Sequence, residues 1–337
     1  MSHSAAELLK ASLEKYNKIA NYAISSYSFI SLPTIELLSY SENAIYLVRD
    51  SVSSEKYILR VNRPGYHTKP EIESELYWLN AIDELSVINV SLPFLGDNSE
   101  FIQAIKLGND KYYCTLFTFL EGHAPDEDNE SKLISQFENL GNITAQLHVM
   151  SENHSRRFDM ITRLSWNVET ILGEKPKWGR WQDGLAITPE RAERFQKVAE
   201  TIKNRLDRFG KEANQFGLIH ADLRLANLIV EHDQIKVIDF DDCGFGWYLF
   251  DLAASLSFIE HKKYVPDLIQ SWLKGYRKIR YLSKEEENEI PTFIMLRRLQ
   301  LISWIGNREN ETTQKMGGEF TIKTDSLAEK YLEKYIY

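Results

Sequence analysis

The way strand-like and helix-like segments are distributed along the chain constrains its fold more than any other feature. Between Tyr22 and Val61, short runs rich in β-branched and aromatic residues are separated by Ser-, Asn- and Asp-containing turns, which predicts an antiparallel meander. Beyond Gly122, apolar residues recur every three or four positions over long stretches, which predicts helices. We therefore expect an α+β protein with a small antiparallel β-rich lobe over residues 1–121 and a large, mainly helical lobe over residues 122–337.

The same patterns predict the individual elements. An amphipathic helix is expected within the first twenty residues, and another from Pro70, where a proline near a helix start costs no hydrogen bond. The expected strands are Ile35–Tyr40, Ala44–Val48, Lys56–Val61, Phe101–Ile105 and Tyr112–Phe119. The expected long helices are Leu133–Met150, Pro189–Phe209, Asp267–Ile279 and Lys284–Ile305.

Composition narrows the function classes. With 40 Lys and Arg against 49 Asp and Glu, the net charge is 40 − 49 = −9, which disfavours nucleic-acid binding because phosphate neutralisation needs excess positive charge. Cys114 and Cys243 form no Cys-x-x-Cys pair, so a disulfide framework or zinc ribbon is not expected. The N-terminus lacks the pattern of a secretion signal, and the apolar stretch Phe293–Ile305 contains two arginines and is too short for a membrane span. We expect a soluble cytoplasmic protein with no nucleic-acid or membrane partner.

One strand-like segment within the helical half carries the chemistry. It begins His220-Ala221-Asp222 and continues through Asn227 and two short apolar runs to Asp239. Asp222 and Asn227 bracket a tight loop before a strand, and Asp239 follows the returning strand, so all three are expected at one end of a hairpin. A carboxylate and an amide oxygen suit Mg²⁺ together with substrate phosphates. Asp222 would then accept a proton from an attacking hydroxyl, which is the division of roles in phosphoryl transfer.

Other motif-based interpretations are weaker. Counted from Asp239, an EF-hand would place oxygen ligands where Cys243 and Phe250 stand, so calcium binding of that type is excluded. Neither a P-loop nor a Gly-x-Ser-x-Gly nucleophile elbow occurs in the sequence.

The pattern His-x-Asp-x-x-x-x-Asn, followed twelve residues later by Asp-Phe, resembles the catalytic loop and metal-binding Asp of protein kinases. With Ala221 after the His and the ending Ile-Asp-Phe-Asp-Asp, it is more similar to the aminoglycoside phosphotransferase and choline kinase superfamily. Within it, the chain resembles bacterial kinases related to type II homoserine kinase and the RdoA-type stress-response kinase. The resemblance extends from about Ile35 to Leu332. It implies a protein-kinase-like, two-lobed fold and a reaction that uses ATP and Mg²⁺.

This resemblance implies a role for each residue of the motif. Asp222 is the catalytic base, and Asn227 and Asp239 are the metal ligands. Asp251, in Phe-Asp-Leu-Ala, and His220 would support the catalytic loop through its backbone. Arg224 differs from the pattern of the kinases that act on small molecules, which usually have His at this position. An Arg here would reach the γ-phosphate with its planar guanidinium group.

The nucleotide-binding residues are expected in the first lobe. Arg60, on the third strand, stands where protein kinases place the Lys that binds the α- and β-phosphates. Its carboxylate partner would come from the next helix, where Glu71, Glu73 and Glu75 compete and Glu75 matches the family best.

Two further segments complete the expected nucleotide site. The loop over the phosphates would be residues 39–43, with Ser41 and Asn43 as donors, although it contains no glycine and also fits an ordinary hairpin turn. The run from Leu116 to Gly122 resembles the connector between the two lobes, whose backbone pairs with adenine. Phe117, Phe119 and Leu120 would then contact the adenine base.

The acceptor site is the least determined. Asp242 and Trp304 are its candidates, because carboxylates and aromatic walls hold cationic groups. For most of the tryptophans of the helical lobe, Trp166, Trp178, Trp181 and Trp304, core packing is the favoured interpretation. The acceptor would be an amino alcohol, amino acid, sugar or aminoglycoside.

Two rival functions remain open. A Ser/Thr protein kinase, for which a protein is the substrate, is favoured by Arg224 and disfavoured by the missing Gly-rich loop and the missing Ala-Pro-Glu motif. A catalytically silent kinase-like binding module is disfavoured by the presence of Asp222, Asn227 and Asp239.

Overall fold

The structure, a computed structural model, describes residues 3–41, 43–308 and 311–336. These residues divide into two units. The N-terminal unit comprises the described residues up to Glu84 together with Val90–Glu121, and the C-terminal unit comprises Leu85–Asn89 and the described residues from Gly122 onward. An antiparallel sheet dominates the first and helices dominate the second, so the α+β prediction is confirmed.

The N-terminal unit is built on one five-stranded sheet. Its helices are α1 (His3–Ile24) and α2 (Lys69–Glu84), and its strands are β1 (Pro33–Tyr40), β2 (Ala44–Asp50), β3 (Lys56–Val61), β4 (Gln103–Leu107) and β5 (Asp110–Thr118). The strand order is β1-β2-β3-β5-β4, and all neighbouring strands are antiparallel. The meander predicted from the sequence is therefore present and is extended by the β4–β5 hairpin.

The alternation of side chains along β3 separates the core of this unit from its chemistry. Leu59 and Val61 belong to the buried cluster that also contains Ile19 and Ala23 of α1. Because successive strand residues point to opposite faces, Arg60 projects from the face away from that cluster.

The C-terminal unit contains the remaining elements. Its helices are α3 (Glu130–Asn153), α4 (Val168–Leu172), α5 (Pro189–Phe209), α6 (Tyr248–Ser255), α7 (Val265–Tyr276), α8 (Lys284–Asn288), α9 (Ile290–Gly306) and α10 (Glu311–Tyr335), the last interrupted by non-helical geometry at Gly317. Its strands are β6 (Ser165–Trp166), β7 (Phe216–Ile219), β8 (Leu228–Glu231), β9 (Gln234–Val237) and β10 (Gly244–Trp247). They form the sheet β6-β10-β7 and the hairpin β8-β9.

Helices α3 and α7 pack with their backbones in close approach. A Cβ atom on Gly141 would collide with the backbone of Trp272, and one on Gly275 would collide with the Glu138 carbonyl. Only glycine fits at both positions. The close approach places His148, on α3, within hydrogen-bonding distance of Tyr276 on α7.

The single helix predicted over Lys284–Ile305 is wrong. Helix α8 ends at Asn288 and α9 begins at Ile290. Pro291 is in the first turn of α9 and has no N–H to continue the bonding of a preceding helix. The apolar stretch that we noted falls within α9, and none of the described helices has the length and apolarity to cross a bilayer.

Candidate active site

The site begins with a strained backbone at the end of β7. Ala221 has a φ of 67°, a left-handed conformation that is costly for a residue with a Cβ atom. The Asp251 carboxylate stabilises this turn, because its Oδ1 accepts a hydrogen bond from the Ala221 N–H at 2.7 Å and its Oδ2 accepts one from the His220 N–H at 3.1 Å. Asp222 follows directly, so the turn determines where its side chain begins.

A fully buried histidine fixes Asp251 in turn. The His148 Nε2 lies 3.1 Å from Asp251 Oδ2, and its Nδ1 lies 2.8 Å from the Tyr276 hydroxyl. A carboxylate only accepts, so Nε2 is the donor and Nδ1 accepts from the tyrosine. Burial lowers the pKa of His148, and this effect outweighs the neighbouring Asp251 carboxylate, which raises it. His148 is therefore neutral at pH 7, and the sequence reasoning did not identify it.

His220 joins the catalytic loop to the hairpin. Its Nδ1 accepts a hydrogen bond from the Asp222 N–H at 3.2 Å, and its Nε2 donates to the Ile238 carbonyl at 3.1 Å. These are the backbone contacts that the resemblance implied for this residue.

The β8-β9 hairpin brings Asn227 and Asp239 to the same end. Beyond the last strand pair, Leu228 with Val237, the Ile238 N–H donates to the Asn227 carbonyl at 3.0 Å. Asp239 is the next residue, with a φ of 63° and an exposed side chain. The expectation that the two residues lie at one hairpin end thus matches the backbone geometry.

The Asp222 carboxylate accepts three hydrogen bonds from side chains. Oδ2 accepts from Arg224 Nε at 3.1 Å and from Asn227 Nδ2 at 2.7 Å, and Oδ1 accepts from Arg297 Nη2. An ionised carboxylate has about four lone-pair positions, so one on Oδ1 is not used by these bonds. The three bonds come from three different side chains and hold the Asp222 carboxylate in one orientation.

Arg297, on α9, is a site residue that the sequence reasoning missed. Its side chain is only 4% exposed, and its guanidinium also donates to Ser257 Oγ at 3.0 Å and Gln300 Oε1 at 2.9 Å. The available signal was the pair Arg297-Arg298 inside an apolar run, since buried arginines normally have specific partners.

Neighbouring carboxylates affect the pKa of Arg224. Partial burial would by itself lower the pKa of its guanidinium, but the carboxylates of Asp222, Asp239 and Asp242 outweigh it and raise the pKa of Arg224. Three carboxylates therefore act on the Arg224 guanidinium, and the structure shows one of them, Asp222, paired with it at 3.1 Å.

The donor set fits a divalent cation that is shared with phosphate. The amide nitrogen of Asn227 is bonded to Asp222, so a cation would meet its oxygen, and Asp239 adds a carboxylate. Within the described ranges, no group of three or more His, Cys, Asp or Glu side chains could hold a metal. One carboxylate, one amide oxygen and substrate phosphates are, however, the ligand type that Mg²⁺ prefers.

Two side chains, Arg163 and Trp166, hold the backbone of the loop after Asp239. Arg163 donates to the carbonyls of Asp241 and Cys243, the latter at 2.6 Å, and Trp166 Nε1 donates to the Asp242 carbonyl at 2.9 Å.

The tryptophans of this unit are mainly core residues. Trp166, Trp178 and Trp181 are buried, and Trp166 stacks on Trp178 with 4.3 Å between ring centroids. Core packing, the interpretation that we favoured for most of them, is confirmed. Trp304 differs, because it is half-buried and carries the Arg308 guanidinium 4.9 Å from its ring centroid.

In the N-terminal unit, Arg60 forms a bidentate ion pair with Glu75. Arg60 Nη1 lies 2.8 Å from Oε1 and Nη2 lies 2.5 Å from Oε2. Of the other two glutamates, Glu71 accepts from the Thr68 N–H at 2.7 Å, and Glu73 faces solvent beside Lys69. The fold thus selects Glu75 as the partner of Arg60.

The other expected nucleotide residues lie in the same unit. The Arg60 guanidinium lies 5.0 Å from the centroid of the Phe117 ring. Phe119 and Leu120 follow the end of β5 and are half-buried. Ser41 N–H donates to the Asn43 carbonyl at 3.1 Å, and Asn43 Oδ1 accepts from the Arg63 N–H at 3.2 Å. Glu42, which we placed in the same loop, lies outside the described residues.

Fold and site together define a kinase-like phosphotransferase. The sequence matches the Phosphotransferase enzyme family (APH) over residues 34–282. The chain belongs to this family, so the resemblance inferred from the catalytic loop is confirmed. The expectation of an enzyme is confirmed as well, at the level of a kinase-like phosphotransferase for small molecules.

Three relatives illustrate this kinship. Amicoumacin kinase of Bacillus subtilis (strain 168) is 24% identical over 309 residues, which cover 86% of this chain and 87% of the relative. The structure of a microcompartment-associated aminopropanol kinase is 35% identical, with a TM-score of 0.84, and the match covers 94% of this chain and 97% of that one. Amicoumacin kinase hAmiN, solved with AMP-PNP, Ca²⁺ and Ami, is 19% identical with a TM-score of 0.70 over 88% of both chains; this likeness shows the fold.

Proposed function

We propose that the protein transfers the γ-phosphate of ATP, in a Mg²⁺-dependent reaction, to the hydroxyl group of an amino alcohol. The observation that carries the proposal is the Asp222 carboxylate, which is oriented by Asn227 and two arginines and keeps one lone-pair position on Oδ1. Asp239 lies at the same end of the hairpin as Asn227.

The choice of acceptor class draws on the comparisons and on charge. The aminopropanol kinase, at 35% identity over 94% of this chain, is named for an amino alcohol. The three carboxylates that act on Arg224 outnumber the two arginines that pair with Asp222, so attraction to the remaining negative charge would offset the cost of desolvating a protonated amine. Asp242 and Trp304 are our candidates for contacting the amine.

Asp222 acts on the acceptor. Its Oδ1 accepts a hydrogen bond from the hydroxyl and takes the proton while the hydroxyl oxygen bonds to the γ-phosphorus and the bond to ADP breaks. A positioned base of this kind contributes about 10²–10⁴ in rate.

Asn227 and Asp239 would hold the metal ion. When bound, Mg²⁺ neutralises developing charge on the phosphate oxygens. Asn227 also orients Asp222 through its amide nitrogen. Arg224 would contact the γ-phosphate, a role that its raised pKa and its permanent charge suit.

In the N-terminal unit, Arg60 would bind the α- and β-phosphates. Glu75 holds its guanidinium through two bonds, so the cation is oriented before the nucleotide arrives and loses less side-chain entropy on binding. Ser41 and Asn43 would add donors to the phosphates, and the backbone near Phe117, Phe119 and Leu120 would contact adenine.

A cytoplasmic location is part of the proposal. Cys114 and Cys243 are both buried free thiols, which suits a reducing compartment. Cell fractionation followed by immunodetection would test it.

An ATP-consumption screen tests the function. The acceptor panel would contain 1-amino-2-propanol, ethanolamine, choline, homoserine, a simple sugar, an aminoglycoside and casein. We expect ADP release that depends on an amino alcohol and falls at least 10²-fold in Asp222→Asn. The control variant is Asp233→Asn, in the exposed hairpin turn, which should retain wild-type turnover.

Other outcomes of the screen would redirect the assignment. Phosphate transfer to casein alone would favour the protein-kinase alternative. Mg-ATP binding without turnover on any acceptor would favour the silent binding module.

A further inference from the structure

The C-terminal unit buries the Arg297 guanidinium group against Asp222, the proposed catalytic base. Arg297 uses all three of its nitrogens, since Nη2 pairs with Asp222, Nε donates to Ser257 at 3.0 Å and Nη1 donates to Gln300 at 2.9 Å. The Phe250 ring lies 5.9 Å from the guanidinium carbon. Partners on α9 itself and from the segment after α6 therefore hold this arginine in one place.

The second arginine on Asp222 is held differently. The Arg224 side chain is 38% exposed, against 4% for Arg297, and it reaches Asp222 through a single nitrogen at 3.1 Å. A partly exposed side chain with one bond to its carboxylate can exchange partners at a smaller cost than a buried one, which cannot leave its carboxylate without a large penalty. If Arg224 contacts the γ-phosphate, as in the proposed function, Arg297 is the cation that stays paired with Asp222.

We propose that Arg297 is a positioning residue for phosphoryl transfer: it fixes the Asp222 carboxylate so that the open position on Oδ1 faces the acceptor hydroxyl. This role rests on the proposed function of Asp222 and acts only through Asp222. Displacement of a reacting group by about 1 Å can cost about 10²-fold in rate, so the fixed orientation matters for turnover more than for binding.

The neighbouring residue provides a matched control. Arg298 lies on the same helix and is also fully buried, but it pairs with Glu260 at 2.6 Å and donates to Thr324 at 2.8 Å and to the Phe320 carbonyl at 2.9 Å. The same substitution at both positions removes a buried guanidinium from α9, and only one of the two touches Asp222.

The kinetic test compares Arg297→Lys with Arg298→Lys. Lysine keeps the charge but cannot reproduce three directed bonds. For Arg297→Lys we expect kcat to fall at least tenfold while the Mg-ATP Kd, measured by calorimetry, stays within twofold. Arg298→Lys should lower the Tm and leave kcat within twofold. Wild-type kcat in Arg297→Lys, or an equal loss in both variants, would overturn the proposal.

A thermal-unfolding cycle tests whether Arg297 acts through Asp222. The four proteins are the wild type, Asp222→Ala, Arg297→Met and the double variant, all without ligands. Asp222→Ala leaves the Arg297 charge buried without its carboxylate, so the double variant should lose less than the sum of the two single Tm shifts. Additive shifts would overturn the proposal.

This cycle also distinguishes the Arg297–Asp222 coupling from the proposed function. It needs no nucleotide and no turnover, so it decides the Arg297–Asp222 coupling by itself. If the wild-type protein phosphorylates none of the acceptors, the proposed function is contradicted and the measured coupling still holds. If the protein turns over an amino alcohol but the Tm shifts are additive, only the proposed role of Arg297 is contradicted.

Discussion

Asp251 accepts a 2.7 Å hydrogen bond from the backbone N–H of Ala221, the left-handed residue directly before Asp222. One carboxylate on α6 thus stabilises a backbone conformation that the sequence at the turn does not favour. The placement of Asp222 depends on this bond.

Replacing Asp251 should therefore affect both stability and turnover. In Asp251→Asn, an amide nitrogen replaces one of the two carboxylate oxygens. The nitrogen cannot accept the hydrogen bond from a backbone N–H or from His148 that this oxygen accepts in the wild type. We expect a loss of about 1–3 kcal/mol in the free energy of unfolding, because a buried donor loses its acceptor, together with a lower kcat. Urea unfolding and steady-state kinetics would measure both, and a variant that matches the wild type in both would contradict the role given to Asp251.

The Arg60–Glu75 pair makes a separate prediction for the N-terminal unit. Glu75→Gln leaves the buried Arg60 without its carboxylate and should destabilise the unit by about 3–5 kcal/mol. Glu73→Gln changes a glutamate of the same helix whose side chain is 53% exposed, against 1% for Glu75, and should change the free energy of unfolding by less than about 1 kcal/mol.

Chemical denaturation followed by circular dichroism would compare the two variants. Equal losses of stability in Glu73→Gln and Glu75→Gln would show that the paired geometry of Arg60 is not what stabilises this unit.

The pH dependence of stability should reflect His148. Burial lowers the pKa of His148 below its ordinary value of 6.5, so at pH values below 6.5 the unfolded chain binds a proton that the folded chain refuses. Stability due to this group is fully present above about pH 6.5 and falls as the pH decreases toward the folded-state pKa.

Urea denaturation at pH 7.5 and pH 5.5 would measure this effect. We expect the stability lost between these pH values to be smaller in His148→Gln than in the wild type. The exposed His154 serves as the control, and His154→Gln should behave as the wild type. A wild-type pH dependence in His148→Gln would show that another group is responsible.

A pair of aspartates in the hairpin region tests the proposed metal ligand. Asp239 and Asp233 are both exposed and both have a φ of 63°, a conformation that asparagine tolerates. Asp239→Asn should weaken Mg²⁺-dependent ATP binding at least tenfold, because a charged oxygen ligand is lost, whereas Asp233→Asn should not change it. Calorimetry with and without Mg²⁺ would show the difference; unchanged affinity in Asp239→Asn would exclude it as a ligand.

The catalytic loop could be predicted because its information is local. Asp222, Asn227 and Asp239 lie within eighteen positions, and a hairpin of two short apolar runs has few ways to arrange them. The strands of the N-terminal unit were predictable for a similar reason, since turn residues separate β-branched runs.

Arg297 could not be assigned from the sequence, because its bond to Asp222 joins residues 75 positions apart. An arginine within an apolar run indicates that it has a buried partner without naming which carboxylate. His148 is a comparable case, since its partner Asp251 lies 103 positions further along. The break between α8 and α9 was missed because residues 284–290 are mostly strong helix formers, so the sequence before Pro291 gave little indication of a helix end.

The choice among Glu71, Glu73 and Glu75 illustrates the same limit. All three lie on one predicted helix, and periodicity alone does not show which face meets β3. In the folded unit, Glu71 is bonded to Thr68, Glu73 faces solvent, and Glu75 is buried on Arg60.

Direct detection of the phosphorylated product tests the central claim. ³¹P NMR would follow ATP and Mg²⁺ with 1-amino-2-propanol in the presence of the wild type and of Asp222→Asn. We predict that the γ-phosphate signal of ATP is replaced by ADP and a new phosphate monoester with the wild type, and that the monoester forms at least 10²-fold more slowly with Asp222→Asn. Equal rates of monoester formation in the two proteins would contradict the assignment of Asp222 as the group that receives the acceptor's proton.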